Sequence, residues 1–126
     1  MKLQLSLKKQ WFDLTASGVK TEDYREINEY WVNRFIIYKA SKEANIELSE
    51  CIKNVTDIEW MNKYMFPLFK NFTSNKMTLG YPSKNDFSRI KEYEHLGIEI
   101  GYGKQEWGAE PNKLYFIIKH GKEIKP

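Results

Sequence analysis

The densest run of reactive side chains in the sequence is Gly18-Val19-Lys20-Thr21-Glu22-Asp23-Tyr24-Arg25-Glu26. On a strand entered through a glycine turn, Lys20, Glu22 or Asp23, and Arg25 can converge on one pocket, with two cationic donors and one acceptor. That set suits a nucleotide. Arg25 can fork onto a phosphate or a base edge, Lys20 can act as a point charge or a base, and a carboxylate can accept from a base amino group. The plainer reading of the same residues is a solvated strand face carrying surface ion pairs.

A second group is Gly101-Tyr102-Gly103-Lys104-Gln105-Glu106-Trp107-Gly108-Ala109. Its glycines permit close backbone approach, Trp107 offers a stacking face, and Lys104 and Glu106 add polar anchors. No helix start follows the Gly-x-Gly and no Walker pattern is present, so this is not a phosphate-binding loop. Alternatively it is a turn whose Trp107 caps the core.

The remaining reactive residues promise less. Cys51 is expected at a buried helical position without an activating histidine, and His95 and His120 are expected near strand ends as surface or turn residues. With two histidines and one cysteine, no zinc-ligand spacing exists, so neither metal nor cofactor is expected.

These residues need elements to hold them. Leu3, Leu5 and Leu7 alternate as a strand, and residues 8–17 carry Trp11, Leu14 and Thr15 at helical spacing before Gly18 stops the helix. Thr21 to Ile27 reads as a strand with Lys20 at its mouth and Asp23 and Arg25 on one face. Asn28 is a good N-cap for a short helix from Glu29 to Phe35.

Residues 41–72 read as a helical insertion, with a capping-box pattern at Thr56-Asp57-Ile58-Glu59 and with Trp60, Tyr64, Phe66, Phe69 and Phe72 as its core. Were some of those aromatics exposed, they would mark a partner surface. Strands are expected over Met77–Tyr81, around the alternating Leu96, Ile98, Ile100 and Tyr102, and over Leu114–Lys119, the last buried on both sides. Phe87–Glu94 fits a helix or an extension of the following strand.

Composition bounds the whole. The chain has 126 residues, 41% of them hydrophobic, enough for one domain with one core. A net charge of +3, all of it in residues 64–126, allows an anionic partner but not a duplex-coating stripe. One cysteine excludes an internal disulfide and fits a reducing compartment, with the cytoplasm as default. No membrane span or signal peptide is evident, so no membrane partner is expected.

Leu5-Ser6-Leu7-Lys8, the short helix after it, and Gly18-x-Lys20-x-x-Asp23-x-Arg25 together resemble the ASCH domain family of the PUA-like superfamily. The family pattern is Gly-x-Lys-x-x-Glu-x-Arg, and Asp23 stands here at the glutamate position with Glu22 just before it. Gly101-x-Gly103-x-x-Glu106-Trp107-Gly108-Ala109, with the strand ending in Lys119-x-Gly121, is similar to the C-terminal part of small phage and bacterial members. The match covers residues 1–37 and 76–124.

The resemblance implies an α+β fold, a small PUA-like β-barrel with flanking short helices and the insertion at about 41–72. It turns the ambiguous Phe87–Glu94 toward strand and implies RNA or a modified nucleoside as ligand, in a cleft lined by Lys20, Asp23 and Arg25 with Ser6 and Lys8 at its entrance. Glu106 and Trp107 complete the expected nucleotide-binding set. One branch of the family removes the acetyl group from N4-acetylcytidine with a lysine and a threonine, which map to Lys20 and Asp23. A carboxylate cannot replace the hydroxyl nucleophile, and period-two spacing puts Thr21 about 7 Å further along the strand. Other relatives are proposed to cleave RNA, for which Lys20 and Asp23 could be catalytic.

Overall fold

The computed structural model describes residues 1–125. Its strands are β1 (Leu3–Leu7), β2 (Glu22–Arg25), β3 (Ser74–Leu79), β4 (Ile90–Tyr102) and β5 (Leu114–Ile124). Its helices are α1 (Lys9–Ala16), α2 (Glu29–Phe35), α3 (Lys42–Lys53) and α4 (Ile58–Met65). The strands form one mixed sheet in the order β1-β3-β4-β5-β2, which makes the protein α+β, as expected. Among the described residues no helix is long and apolar enough to cross a membrane.

The chain divides into two compact units that alternate along the sequence. Of the described residues, 1–23, 71–97 and 119–125 make the first. Here β1 pairs in parallel with β3, Leu5 opposite Met77, and β3 pairs antiparallel with β4, Asn75 opposite Tyr93. Leu3, Leu5 and Leu7 are buried while Gln4 and Ser6 are exposed, the signature of a strand covered on one face. Helix α1 buries Phe12 and Thr15. Its end is set by Gly18, whose φ of 84° lies in the left-handed region and folds the chain back so that the Lys20 N–H reaches the Leu14 carbonyl at 3.1 Å.

Residues 24–70 and 98–118 make the second unit. Asn28 caps α2 by accepting from the Trp31 N–H at 3.0 Å. The cap of α4 is Asp57, accepting from the Trp60 N–H at 2.9 Å, so the N-cap lies one residue beyond the expected Thr56 and Glu59 falls out of the reciprocal capping-box position. Both caps obey the same rule: a short acceptor side chain takes an orphan N–H of the first turn. The excursion of α3 and α4 is closed at its base, where the Ile37 N–H meets the Leu68 carbonyl and the Lys70 N–H meets the Phe35 carbonyl, each at 2.8 Å. Helicity stops after a short 3₁₀ turn, Phe66–Leu68, sooner than the expected limit at 72.

Phe35 and Phe69 both meet the buried Phe116 edge-on, with centroids 5.3 and 6.1 Å apart. Asn62 of α4 accepts from the Ile100 N–H at 2.7 Å and donates to the Ile100 carbonyl at 2.8 Å, pairing with that residue as a neighbouring strand would.

Three expectations change on burial. Cys51 is exposed on α3, not buried, because the helix turns Ile52 and Ser49 inward instead. Of the insertion aromatics, Phe69 and Phe72 are buried, but Trp60, Tyr64 and Phe66 face solvent, since α4 buries Met61 and Met65. In β4 the alternation through Leu96 and Tyr102 fails: Tyr93, Ile98 and Ile100 are buried, whereas Leu96 and Tyr102 are exposed. For Leu96 the reason is Gly97, at φ 121°, because one left-handed residue in a strand shifts the inward positions from odd to even numbers; Tyr102 is the last residue of the strand.

Phe87–Glu94 resolves into a 3₁₀ turn, Phe87–Arg89, followed by strand from Ile90. Leu114–Lys119 is strand, with Tyr115 through Ile118 buried without a break, as a run covered on both faces requires.

Candidate functional site

The first unit contains a chain of buried polar side chains. The Lys20 ammonium donates to Asp23 Oδ1, and both side chains are within 3% of complete burial. Asp23 Oδ2 lies 2.6 Å from His120 Nε2. His120 Nδ1 lies 2.7 Å from Asn75 Nδ2, and Asn75 Oδ1 lies 2.6 Å from His95 Nδ1. The second hydrogen of the Asn75 amide goes to the Lys119 carbonyl at 3.2 Å.

That last bond orients the network. With its NH2 group donating to Lys119 and His120, the Asn75 oxygen is left to accept from the His95 Nδ1–H. His120 then accepts at Nδ1 and carries its proton on Nε2, donating it to Asp23. Both nitrogens of His120 are therefore engaged, and so are both oxygens of Asp23. Burial pushes the Asp23 carboxyl up, but the His120 hydrogen bond and the Lys20 charge outweigh it and hold the group below the usual carboxylate range. His95 is held below its ordinary value, by burial first and by nearby His120 second.

Tyr93 braces this cluster. Its ring lies 5.8 Å from that of His120, and its hydroxyl donates to the Thr15 carbonyl at 3.1 Å. Burial, with Glu123 and Asp23 adding to it, pushes the phenol up to about 12. A cavity of about 320 Å³ opens between the end of α1 and β5, with Lys20, Thr21, Tyr93, His120 and Glu123 in its wall. That volume lies at the small end of ligand pockets, which run from about 300 to 1,000 Å³.

The other expected site residues lie as follows. Ser6 is exposed and donates to the Gly80 carbonyl at 3.3 Å, and Lys8 is exposed just before α1. Arg25 belongs to the second unit, where its guanidinium lies 5.3 Å over the Trp31 ring and donates to the Tyr24 carbonyl at 2.9 Å. Glu106 and Trp107 sit there on a 3₁₀ turn, Gln105–Trp107, and the Lys104 ammonium lies 4.3 Å over Trp107. Between the two neighbouring carboxylates of the motif, Asp23 is the one that holds Lys20.

The glycines of the second cluster have a packing role. A Cβ on Gly103 would come within 2.8 Å of the Tyr24 ring and 2.6 Å of the Ala109 Cβ, so the loop closes only around a bare backbone. The Lys104 N–H then donates to the Tyr24 hydroxyl at 2.9 Å.

His120 was expected at the surface and is instead buried at the centre of the network. The signal was present: His120 continues the period-two series Phe116, Ile118, both fully buried. Asn75 shares a face of β3 with Met77 in the same way, but lies before the expected start of that strand. His95, expected near a strand end, is half-buried inside β4. Among the described residues no three His, Cys, Asp or Glu side chains gather as a metal site.

No protein-family model matches this chain, and no curated protein or solved structure is a match to it.

Proposed function

We propose that the protein binds a nucleoside in the cavity beside Lys20, and that its sheet is of the PUA-like barrel type. The observation that carries this reading is a buried Lys20–Asp23 ion pair whose lysine belongs to the cavity lining together with His120 and Tyr93. Because Asp23 balances Lys20 and Lys125 balances Glu123, the wall carries no surplus charge and the cavity favours a neutral polar ligand over a free phosphate. Its size suits a single base and sugar, so a modified nucleoside, alone or at an exposed position of an RNA, is the preferred ligand.

The test is a titration with cytidine, uridine, adenosine and N4-acetylcytidine, followed through the His120 and Tyr93 ring resonances. Saturable shifts that disappear in Lys20→Met support the reading. Unmoved resonances with every nucleoside would refute it.

A second reading, hydrolysis of an exocyclic acetamide, is favoured by one observation: Thr21 precedes β2 and lines the same cavity as Lys20. The period-two argument against Thr21 therefore does not apply to it. Asp23 is fully engaged with Lys20 and His120, and the hydroxyls of Thr15, Ser17 and Tyr93 in the same lining donate to backbone carbonyls, so Thr21 is the hydroxyl proposed for the attack. Release of cytidine and acetate from N4-acetylcytidine, lost in Thr21→Val, would establish this chemistry; binding without products would confine the protein to recognition.

A further inference from the structure

A second cavity in the first unit, of about 410 Å³, is built differently. Five lysines line it, Lys2, Lys76, Lys84, Lys91 and Lys125, against two glutamates, Glu92 and Glu123. Its local excess equals the +3 of the entire chain, so the surplus charge of this protein is concentrated at one place. Each glutamate has a near cationic neighbour: Glu92 takes Lys2 at 3.0 Å, and Glu123 takes Lys125 at 3.1 Å, with Lys91 further off at 3.9 Å. Lys76 also acts on Glu92, so five ammonium groups share two carboxylates, and the excess is spread over Lys76, Lys84 and Lys91. Glu92 also accepts a hydrogen bond from the Ser74 hydroxyl, so both of its oxygens are engaged.

The rest of the wall is apolar. Ile90, Ile124 and the half-exposed Phe87 line the cavity together with the lysines. An ammonium is a point charge suited to a phosphate oxygen, and an exposed phenyl face suits a planar base. The lysines surround one cavity and do not form a track, and its volume is that of a small-molecule site.

We infer that this cavity binds a nucleoside polyphosphate, its phosphates among Lys76, Lys84 and Lys91 and its base against Phe87. The two cavities share Glu123 in their walls and no other lining residue, and neither reading depends on the other.

The experiment is calorimetric titration of the full chain with ATP at low salt, with adenosine, inorganic tripolyphosphate and a single-stranded RNA of about eight nucleotides as further arms. ATP is expected to bind saturably at one site, weakening as salt rises, with adenosine and tripolyphosphate each weaker. The double variant Lys76→Ala, Lys84→Ala should weaken ATP by about tenfold or more, the loss of at least one charge-assisted contact. Phe87→Ala should weaken ATP and leave tripolyphosphate unchanged. The exposed single variant Lys84→Glu, melting at the wild-type temperature, separates lost binding from lost folding. Absence of saturable ATP binding, wild-type affinity in the double variant, or RNA binding that exceeds ATP and tightens with length would each overturn the inference.

Discussion

Asp23 meets the heaviest electrostatic demand in the first unit, because its two oxygens serve Lys20 and His120 at once in a site closed to water. Removing one partner of such a buried pair leaves the other charge without compensation. Asp23→Asn is therefore expected to cost about 3–5 kcal/mol in urea unfolding. The pH dependence follows from the same network. His95 has a folded-state pKa below its ordinary 6.5, so as pH falls past that value the unfolded chain takes up a proton that the folded chain resists. Stability is complete above that value and declines below it. Asp23, also depressed, adds a further decline once the pH falls below its ordinary 3.8. Unfolding at about pH 7.5 and about pH 5 should show the first loss, and His95→Gln should remove it. Equal stability of the wild type at the two values would contradict this account.

At the scale of elements, two positions test how closely the second unit is packed. Gly103 lies against Tyr24 and Ala109 with no room for a methyl group, and Gly103→Ala should cost about 1–3 kcal/mol by overpacking. A melting temperature equal to wild type would mean that the loop moves freely. Asn45 of α3 is buried, and its Nδ2 donates to Asn33 at 3.4 Å, yet its Oδ1 meets no donor among the described residues. Replacing a buried acceptor of that kind with an apolar side chain of similar size removes a desolvation penalty. Asn45→Leu is expected to raise stability by about 1 kcal/mol, readable as a higher urea midpoint.

Across the whole molecule, burial separates aromatics that the sequence groups together. Trp60, Tyr64 and Phe66 are 55%, 50% and 78% exposed, with Trp60 and Tyr64 stacked at 5.5 Å, whereas Phe69 is 8% exposed. Phe69→Ala should cost about 3–5 kcal/mol, and Phe66→Ser should stay within about 0.5 kcal/mol. Comparable losses in the two variants would show that Phe66 is covered in solution. Charge behaves in a parallel way. The sequence locates the excess in residues 64–126, and the structure concentrates an equal excess around one cavity that also draws Lys2 from the far end of the chain.

Elements built on local signals were legible in the chain itself. The alternating leucines of β1, the glycine that ends α1, the asparagine cap of α2 and the apolar run of β5 each act within a few residues, so spacing alone was sufficient. A carboxylate close to Lys20 was legible in the same way, but the choice of Asp23 over Glu22 came only with the fold. The rest of the network was not legible, because His120 lies 97 residues beyond Asp23 and Asn75 lies 45 before His120. Gly97 hid the register of β4 for a related reason: a single left-handed residue reverses which side chains face inward, and composition does not record its φ. By itself, then, the sequence determined the residue types capable of chemistry and the short elements that carry them. Only the tertiary structure decided that His120 and Asn75 complete the Lys20–Asp23 pair, because a buried charge persists only where distant strands bring it partners.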